Sequence, residues 1–236
     1  MGNSHFSFKQ FTIHQGQCAM KVTTDACLFG AWVNSKAMAP ERMLDIGAGT
    51  GLLSLMMAQG RTVEIDAVEI EEGCYEQLCS NINASPFASS ITPVKADIRV
   101  LGPETKYDLI ISNPPFYERQ LRSDRYDINI ARHSDGLTLK ELFTQVDQMM
   151  KPNGRFYLLM PYYRKEECME VAMSFGLSPN CIAVAKQSTV HEAFRVMFEF
   201  STMPISSVTE EIVIKKNASA YTDAFNLLLK DYYLYL

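Results

Sequence analysis

LDIGAGTG, residues 44–51, leaves an apolar strand-like run and opens into the helix-like LLSLMMAQ (52–59). Gly47, Gly49 and Gly51 lack Cβ atoms, so the backbone can turn tightly and let a ligand come close. The helix behind the turn begins with unpaired N–H groups that can face that ligand. A dinucleotide loop, G-x-G-x-x-G, would need glycine where Leu52 stands, and no Gly-Lys-Ser/Thr follows as a P-loop requires. Asp45, just before the turn, suits a cationic or hydroxyl-rich ligand better than a pyrophosphate.

Outward from this loop, strands alternate with helices. ERMLDIG (41–47), VEIDAVEI (63–70), ITPVKADI (91–98), YDLIIS (107–112) and GRFYLLMP (154–161) read as strands, with CIAVAK (181–186) and AFRVMFEFS (193–201) as late ones. EEGCYEQLCSNINAS (71–85), LTLKELFTQVDQMM (137–150) and RKEECMEVAMSFG (164–176) read as helices, the second stopped by Lys151-Pro152-Asn153-Gly154. This rhythm predicts an α/β fold with a mostly parallel sheet covered on both faces. Residues 1–40 lie outside it and form an N-terminal segment. Residues 41–203 are the core, and 204–236 a C-terminal extension read as a strand remnant plus a helix, all within one domain.

Composition narrows the class. A chain of 236 residues, 47% hydrophobic and 21% charged, can bury a sizeable core. No apolar run reaches the ~20 residues of a membrane span, and MGNSHFSFKQ has no apolar h-region, so neither membrane insertion nor secretion is expected. The six cysteines (18, 27, 74, 79, 168, 181) form no C-x-x-C pair and no zinc spacing, so reduced buried thiols and no metal are expected. The net charge of −5 gives no global attraction to nucleic acid or an anionic membrane.

Two further acids fall at strand ends on the rim where open α/β sheets bind ligands. Glu69 closes AVE at the tip of the second strand and can accept both hydroxyls of a ribose. Asp97 closes VKAD and can bond an adenine edge. The fourth strand then exits through SNPPF (112–116). The prolines cannot donate to a ladder and stiffen the turn. Asn113 offers a side-chain carbonyl, Pro114 a main-chain one, and Phe116 a flat face for stacking. Two acceptors over a ring suit an exocyclic amino group on a heterocycle, drawing its nitrogen toward tetrahedral geometry and freeing the lone pair.

D-x-G-x-G-x-G, a ribose acid, a later Asp and N-P-P-F together resemble the class I S-adenosylmethionine-dependent methyltransferases that act on amino nitrogens. With FSFKQFTIHQGQCAMKVTTDACLFGAW (6–32), the chain resembles the bacterial tRNA(Val) adenine-37 N6-methyltransferase family. That resemblance implies a Rossmann-like, seven-stranded sheet whose last strand is antiparallel, with S-adenosylmethionine as cofactor and tRNA as substrate in the cytoplasm. It implies catalytic roles for Asn113, Pro114, Pro115 and Phe116. It also implies that Asp45, Gly47, Gly49 and Gly51 bracket the cofactor's methionine and ribose. Glu69 would take the ribose hydroxyls and Asp97 the adenine amino group, with Lys21, Thr24 and Asp25 covering the methionine end.

An RNA substrate needs positive charge somewhere on an acidic chain. ERQLRSDRYDINIARH (118–133) supplies Arg119, Arg122, Arg125, Arg132 and His133 just after the N-P-P-F turn, and a clamp on the RNA backbone is expected there. Other amino-group methyltransferases stay open at this point: guanine-N2 enzymes of ribosomal RNA, DNA adenine enzymes and glutamine enzymes, although the last carry a helical domain too large for the 44 residues before Asp45. A non-catalytic cofactor- or RNA-binding module is the reading from a different class, and the intact N-P-P-F turn argues against it.

Overall fold

The computed structural model describes residues 3–37, 39–115, 136–203 and 206–236. Its strands are β1 (His5–Ser7), β2 (Thr12–His14), β3 (Arg42–Ile46), β4 (Glu64–Glu69), β5 (Ile91–Lys95), β6 (Tyr107–Ser112), β7 (Met150–Pro161), β8 (Ser178–Ser188), β9 (Ala193–Ser201) and β10 (Val208–Lys215). Its α-helices are α1 (Thr24–Lys36), α2 (Leu52–Ala58), α3 (Glu72–Asn83), α4 (Leu139–Met149), α5 (Lys165–Ser174) and α6 (Asp223–Leu229).

The main sheet has eight strands in the order β10-β8-β9-β7-β6-β3-β4-β5. All run parallel except β9, which is antiparallel to both β7 and β8. The seven strands expected from the sequence are all present, and β9 is the antiparallel one. The eighth, β10, comes from the stretch read as a strand remnant. It pairs along its length with β8 and extends the edge of the sheet. β1 and β2 form a separate hairpin.

Alternation within the strands builds two apolar layers. Leu109 and Ile111 of β6 face one core with α1, α2, α3 and α6, while Ile110 faces the other with α4 and α5. Coverage of both faces explains why β6 and β7 read as continuous apolar runs.

Three sequence readings change. α1 lies inside the first 40 residues and belongs to the packed layer, with every residue from Ala26 to Val33 buried. Lys151–Gly154 does not separate helix from strand: β7 begins at Met150, and its register against β6 shifts between Tyr107 and Leu109. Cys18 and Cys74 are not free thiols. They form a disulfide with Cα atoms 4.7 Å apart, because the N-terminal segment lies along α3. Cys27, Cys79, Cys168 and Cys181 are free.

Candidate active site

The glycine loop joins β3 to α2. Gly47, Gly49 and Gly51 have φ of 74°, 56° and 83°, a region that favours glycine. A Cβ at Gly47 or Gly49 would meet nothing within 4 Å, so that side of the loop is open. At Gly51 it would meet Leu78 Cδ1 of α3 at 2.7 Å, so this glycine also permits close helix packing. Glu69, at the end of β4, ties the loop to its neighbour. One carboxylate oxygen accepts the Gly49 N–H at 2.8 Å, and the other accepts the N–H groups of Ile70 and Glu71 at 2.9 and 2.8 Å. A carboxylate has about four lone-pair sites, so these bonds leave it able to accept one more.

Asp45 is fully buried, with Oδ2 accepting from Ser54 Oγ at 2.6 Å. Burial pushes its carboxyl up to about 7, against the Ser54 hydrogen bonds that favour the charged form, and the Glu69 charge pushes the same way. Its Oδ1 has no hydrogen-bond partner. A buried, unpaired acceptor beneath an open glycine loop fits a ligand that brings a donor or positive charge.

Asp97 lies just past the end of β5 on the same rim. Its carboxylate accepts from Arg99 Nε at 3.0 and 2.9 Å and Arg99 Nη2 at 2.7 Å, and it caps the short 3-10 turn Ile98–Val100. The Arg99 guanidinium holds it below the usual carboxylate range. It is therefore shared with an arginine, a partner the sequence reading did not give it.

Asn113 follows β6 directly. Ser112 is paired with Ile46 in the β3–β6 register, and its buried Oγ donates to the Ile46 carbonyl at 2.9 Å. Asn113 and Gly47 are thus the next residues on adjacent parallel strands and leave the sheet at one level. Among the described residues the Asn113 side chain makes no hydrogen bond. Pro114 is buried and Pro115 exposed, and beside them opens a cavity of about 330 Å³ bordered by Leu139, Leu142 and Arg164. Phe116, Arg119, Arg122, Arg125, Arg132 and His133 lie outside the described residues.

The N-terminal segment reaches this rim through polar contacts. Lys21 Nζ donates to the carbonyls of Gln15 and Cys18, the latter at 2.8 Å, and so closes its own loop. Thr24 is exposed at the start of α1, and Asp25 pairs with Arg195 Nε at 2.7 Å. Asn81, fully buried on α3, accepts the His14 N–H at 3.0 Å and donates to the carbonyls of His14 and Thr50 at 2.8 Å. One amide thus fastens the N-terminal hairpin to the glycine loop. Asn81, Ser54 and Arg195 were absent from the sequence reading. For Asn81 a signal existed: a polar residue on the helix stripe that carries Leu78 and Ile82 needs a buried partner.

The methyltransferase small domain family model matches residues 29–176. A relative from Dyadobacter fermentans, the tRNA1(Val) (adenine(37)-N6)-methyltransferase, is 39% identical over 237 residues, spanning 98% of each chain. The protein of the same name from Christiangramia forsetii is 37% identical over the whole of both chains. The chain belongs to the tRNA1(Val) (adenine(37)-N6)-methyltransferase family. Among solved structures, a predicted O-methyltransferase from Agrobacterium tumefaciens matches with a TM-score of 0.67 at 15% identity, covering 87% of this chain and 95% of that one. The glycopeptide N-methyltransferase MtfA, complexed with S-adenosyl-L-methionine, matches with a TM-score of 0.56 at 11% identity, covering 75% and 94%. These likenesses support the class I methyltransferase fold of the family.

Among the described residues no helix is long and apolar enough to cross a membrane, and no group of three or more His, Cys, Asp or Glu could hold a metal ion. His191 is exposed and bonded to Ser188 Oγ at 2.7 Å, far along the sheet from the glycine loop. Tyr232 and Tyr233, in the C-terminal stretch DYYLYL (231–236), are buried, Tyr233 against Phe6, Phe8 and Phe225.

Proposed function

We propose that this protein methylates the exocyclic N6 of an adenine in tRNA, position 37 of the anticodon loop of tRNA(Val), in the cytoplasm. The observation that supports this reading is the shared level at which Asn113 and Gly47 leave adjacent strands, next to a glycine loop with an open face. S-adenosylmethionine, when bound, supplies an electrophilic methyl group on a sulfonium centre. The residues present fit it: an open face at Gly47 and Gly49, an unpaired buried oxygen on Asp45, and a Glu69 carboxylate with acceptor capacity left. Asp45, Gly47, Gly49 and Gly51 would hold its methionine and ribose parts, Glu69 a ribose hydroxyl through its one remaining acceptor site rather than both hydroxyls, and Asp97 the adenine amino group. Lys21, Thr24 and Asp25 belong to the segment that closes over it.

The Asn113 side chain and the Pro114 carbonyl accept the two N–H protons of the target amine. They free its lone pair and stabilise the positive charge that develops on nitrogen. Phe116 stacks on the adenine and fixes its plane. Holding nucleophile and methyl donor in line supplies much of the acceleration. No strong general base is required, because the proton leaves to water once the nitrogen is cationic. The adenine reaches the turn from a single-stranded loop, where unstacking is inexpensive. Arg119, Arg122, Arg125, Arg132 and His133 hold the loop backbone.

Incubation with methyl-labelled S-adenosylmethionine and unmodified tRNA, followed by nucleoside mapping, tests this reading. Label in N6-methyladenosine is expected. Label in N2-methylguanosine or in a protein glutamine contradicts it.

A further inference from the structure

The far half of the sheet rises above the rim. Ser112 of β6 is in register with Leu158 of β7, Leu158 with Phe198 of β9, Phe198 with Ile182 of β8, and Ile182 with Thr209 of β10. β8 and β10 then continue to the pair Ser188–Lys215. At ~3.3 Å per residue, that pair lies roughly 20 Å further along its strands than Ile182, and at ~4.8 Å between strands about 17 Å to the side of β6. Sheet twist turns the outer strands about this lateral direction and leaves the separation from Ser112 unchanged. The top of this wall holds a cavity of about 330 Å³, bordered by Gln187, Ser188, His191, Lys215, Lys216 and Asn217.

Its charge is distinctive within an acidic chain. Lys186 is neutralised by Glu211 at 2.7 Å, and Arg195 by Asp25 at 2.7 Å. Lys215 and Lys216 have no carboxylate partner among the described residues. The turn 216–222 (KNASAYT) carries no acid, and the hairpin tip 187–192 (QSTVHE) only Glu192. Thr189 adds a hydroxyl to the border, and Val190 and Ala218 complete it with apolar groups.

We propose that this wall binds the sugar–phosphate backbone of the helical stem next to the target loop, with Lys215 and Lys216 on phosphates and the tip of the β8–β9 hairpin against the ribose hydroxyls. The inference rests on the tRNA reading above. Its reach fits: the wall and Asn113 are separated by on the order of 25 Å, about seven nucleotide steps at ~3.4 Å each, so a nucleotide at the catalytic turn brings its stem to the wall. Backbone contacts of this kind set position rather than sequence.

The test measures binding as a function of salt for two RNAs, an anticodon stem-loop and a single-stranded oligonucleotide of the loop alone. The proteins are wild type, the double variant Lys215→Ala/Lys216→Ala, and the exposed single variant Lys216→Glu, each checked for unchanged S-adenosylmethionine affinity. For the stem-loop, the double variant should lower the slope of log affinity against log salt by about two, roughly one per lysine lost, and Lys216→Glu should weaken binding. Binding of the oligonucleotide should be unchanged. An unaltered stem-loop slope, or equal weakening for both RNAs, overturns the wall and leaves the methyl-transfer reading standing. A wild-type protein that binds neither RNA overturns both.

Discussion

Ser112 Oγ of β6 donates to the carbonyl of Ile46 on β3 at 2.9 Å, in a pair with no exposure on the serine. This bond lies one residue before Gly47 on one strand and one residue before Asn113 on the other, and it fixes the offset between glycine loop and N-P-P turn. Ser112→Ala should cost about 1 kcal/mol of stability, the net worth of one hydrogen bond. It should slow methyl transfer several-fold while S-adenosylmethionine affinity stays within about two-fold, since the glycine loop keeps its own bonds. Denaturant titration, single-turnover kinetics and calorimetry check the three parts.

Asp45 makes stability depend on pH. Burial raises its carboxyl from 3.8 to about 7, so the folded chain binds a proton that the unfolded chain has released. This destabilisation is absent below about pH 4, grows as pH rises, and is complete above about pH 7. Asp45→Asn keeps an acceptor for Ser54 and removes the charge. It should be more stable than wild type at pH 8 by on the order of 2–4 kcal/mol, with the gap closing toward pH 4. It should also bind S-adenosylmethionine more weakly. Urea titrations at several pH values, paired with binding isotherms, read both effects.

Asn81→Ala strips partners from the His14 N–H and from the carbonyls of His14 and Thr50. Leaving buried groups unpaired costs about 1–3 kcal/mol each where water cannot replace the partner, so a loss of 2 kcal/mol or more is expected. The N-terminal hairpin should become more open to limited proteolysis, and its amides should exchange faster.

Cys18 and Cys74 close a sequence separation of 56 residues. Cross-links of this span typically contribute about 2–4 kcal/mol by restricting the unfolded chain. Reduction, or Cys18→Ser, should lower Tm by several degrees, and reductant should not shift the Tm of Cys18→Ser further. Free-thiol counting under native and reducing conditions accompanies the melts.

Much of this site was legible because its parts are local. The glycine loop, the acids at strand ends and the N-P-P turn each carry their chemistry within a few residues, and parallel pairing of β3 with β6 brings them together. α1 was missed because it is buried along most of its length, so Ala26 to Val33 show no polar face to mark a helical period. Lys151–Gly154 has the composition of a break, and within β7 it forms the bulge between the pairs Tyr107–Met150 and Leu109–Arg155. The Asp97–Arg99 pair is two residues apart in sequence, but the 3-10 turn that brings them together has no strong sequence mark. Asn81 and the Cys18–Cys74 pair depend on the N-terminal segment folding back over α3, a contact between distant parts of the chain that no periodicity records.

The most direct test of the central claim is single-turnover methylation of tRNA by Asn113→Ala, with S-adenosylmethionine and tRNA affinities measured on the same protein. The account predicts a rate reduced about 10²–10³-fold, the usual loss when one stabilising group at a reacting centre is removed, with both affinities near wild type. A variant that binds both normally and transfers methyl within about three-fold of wild type would contradict it.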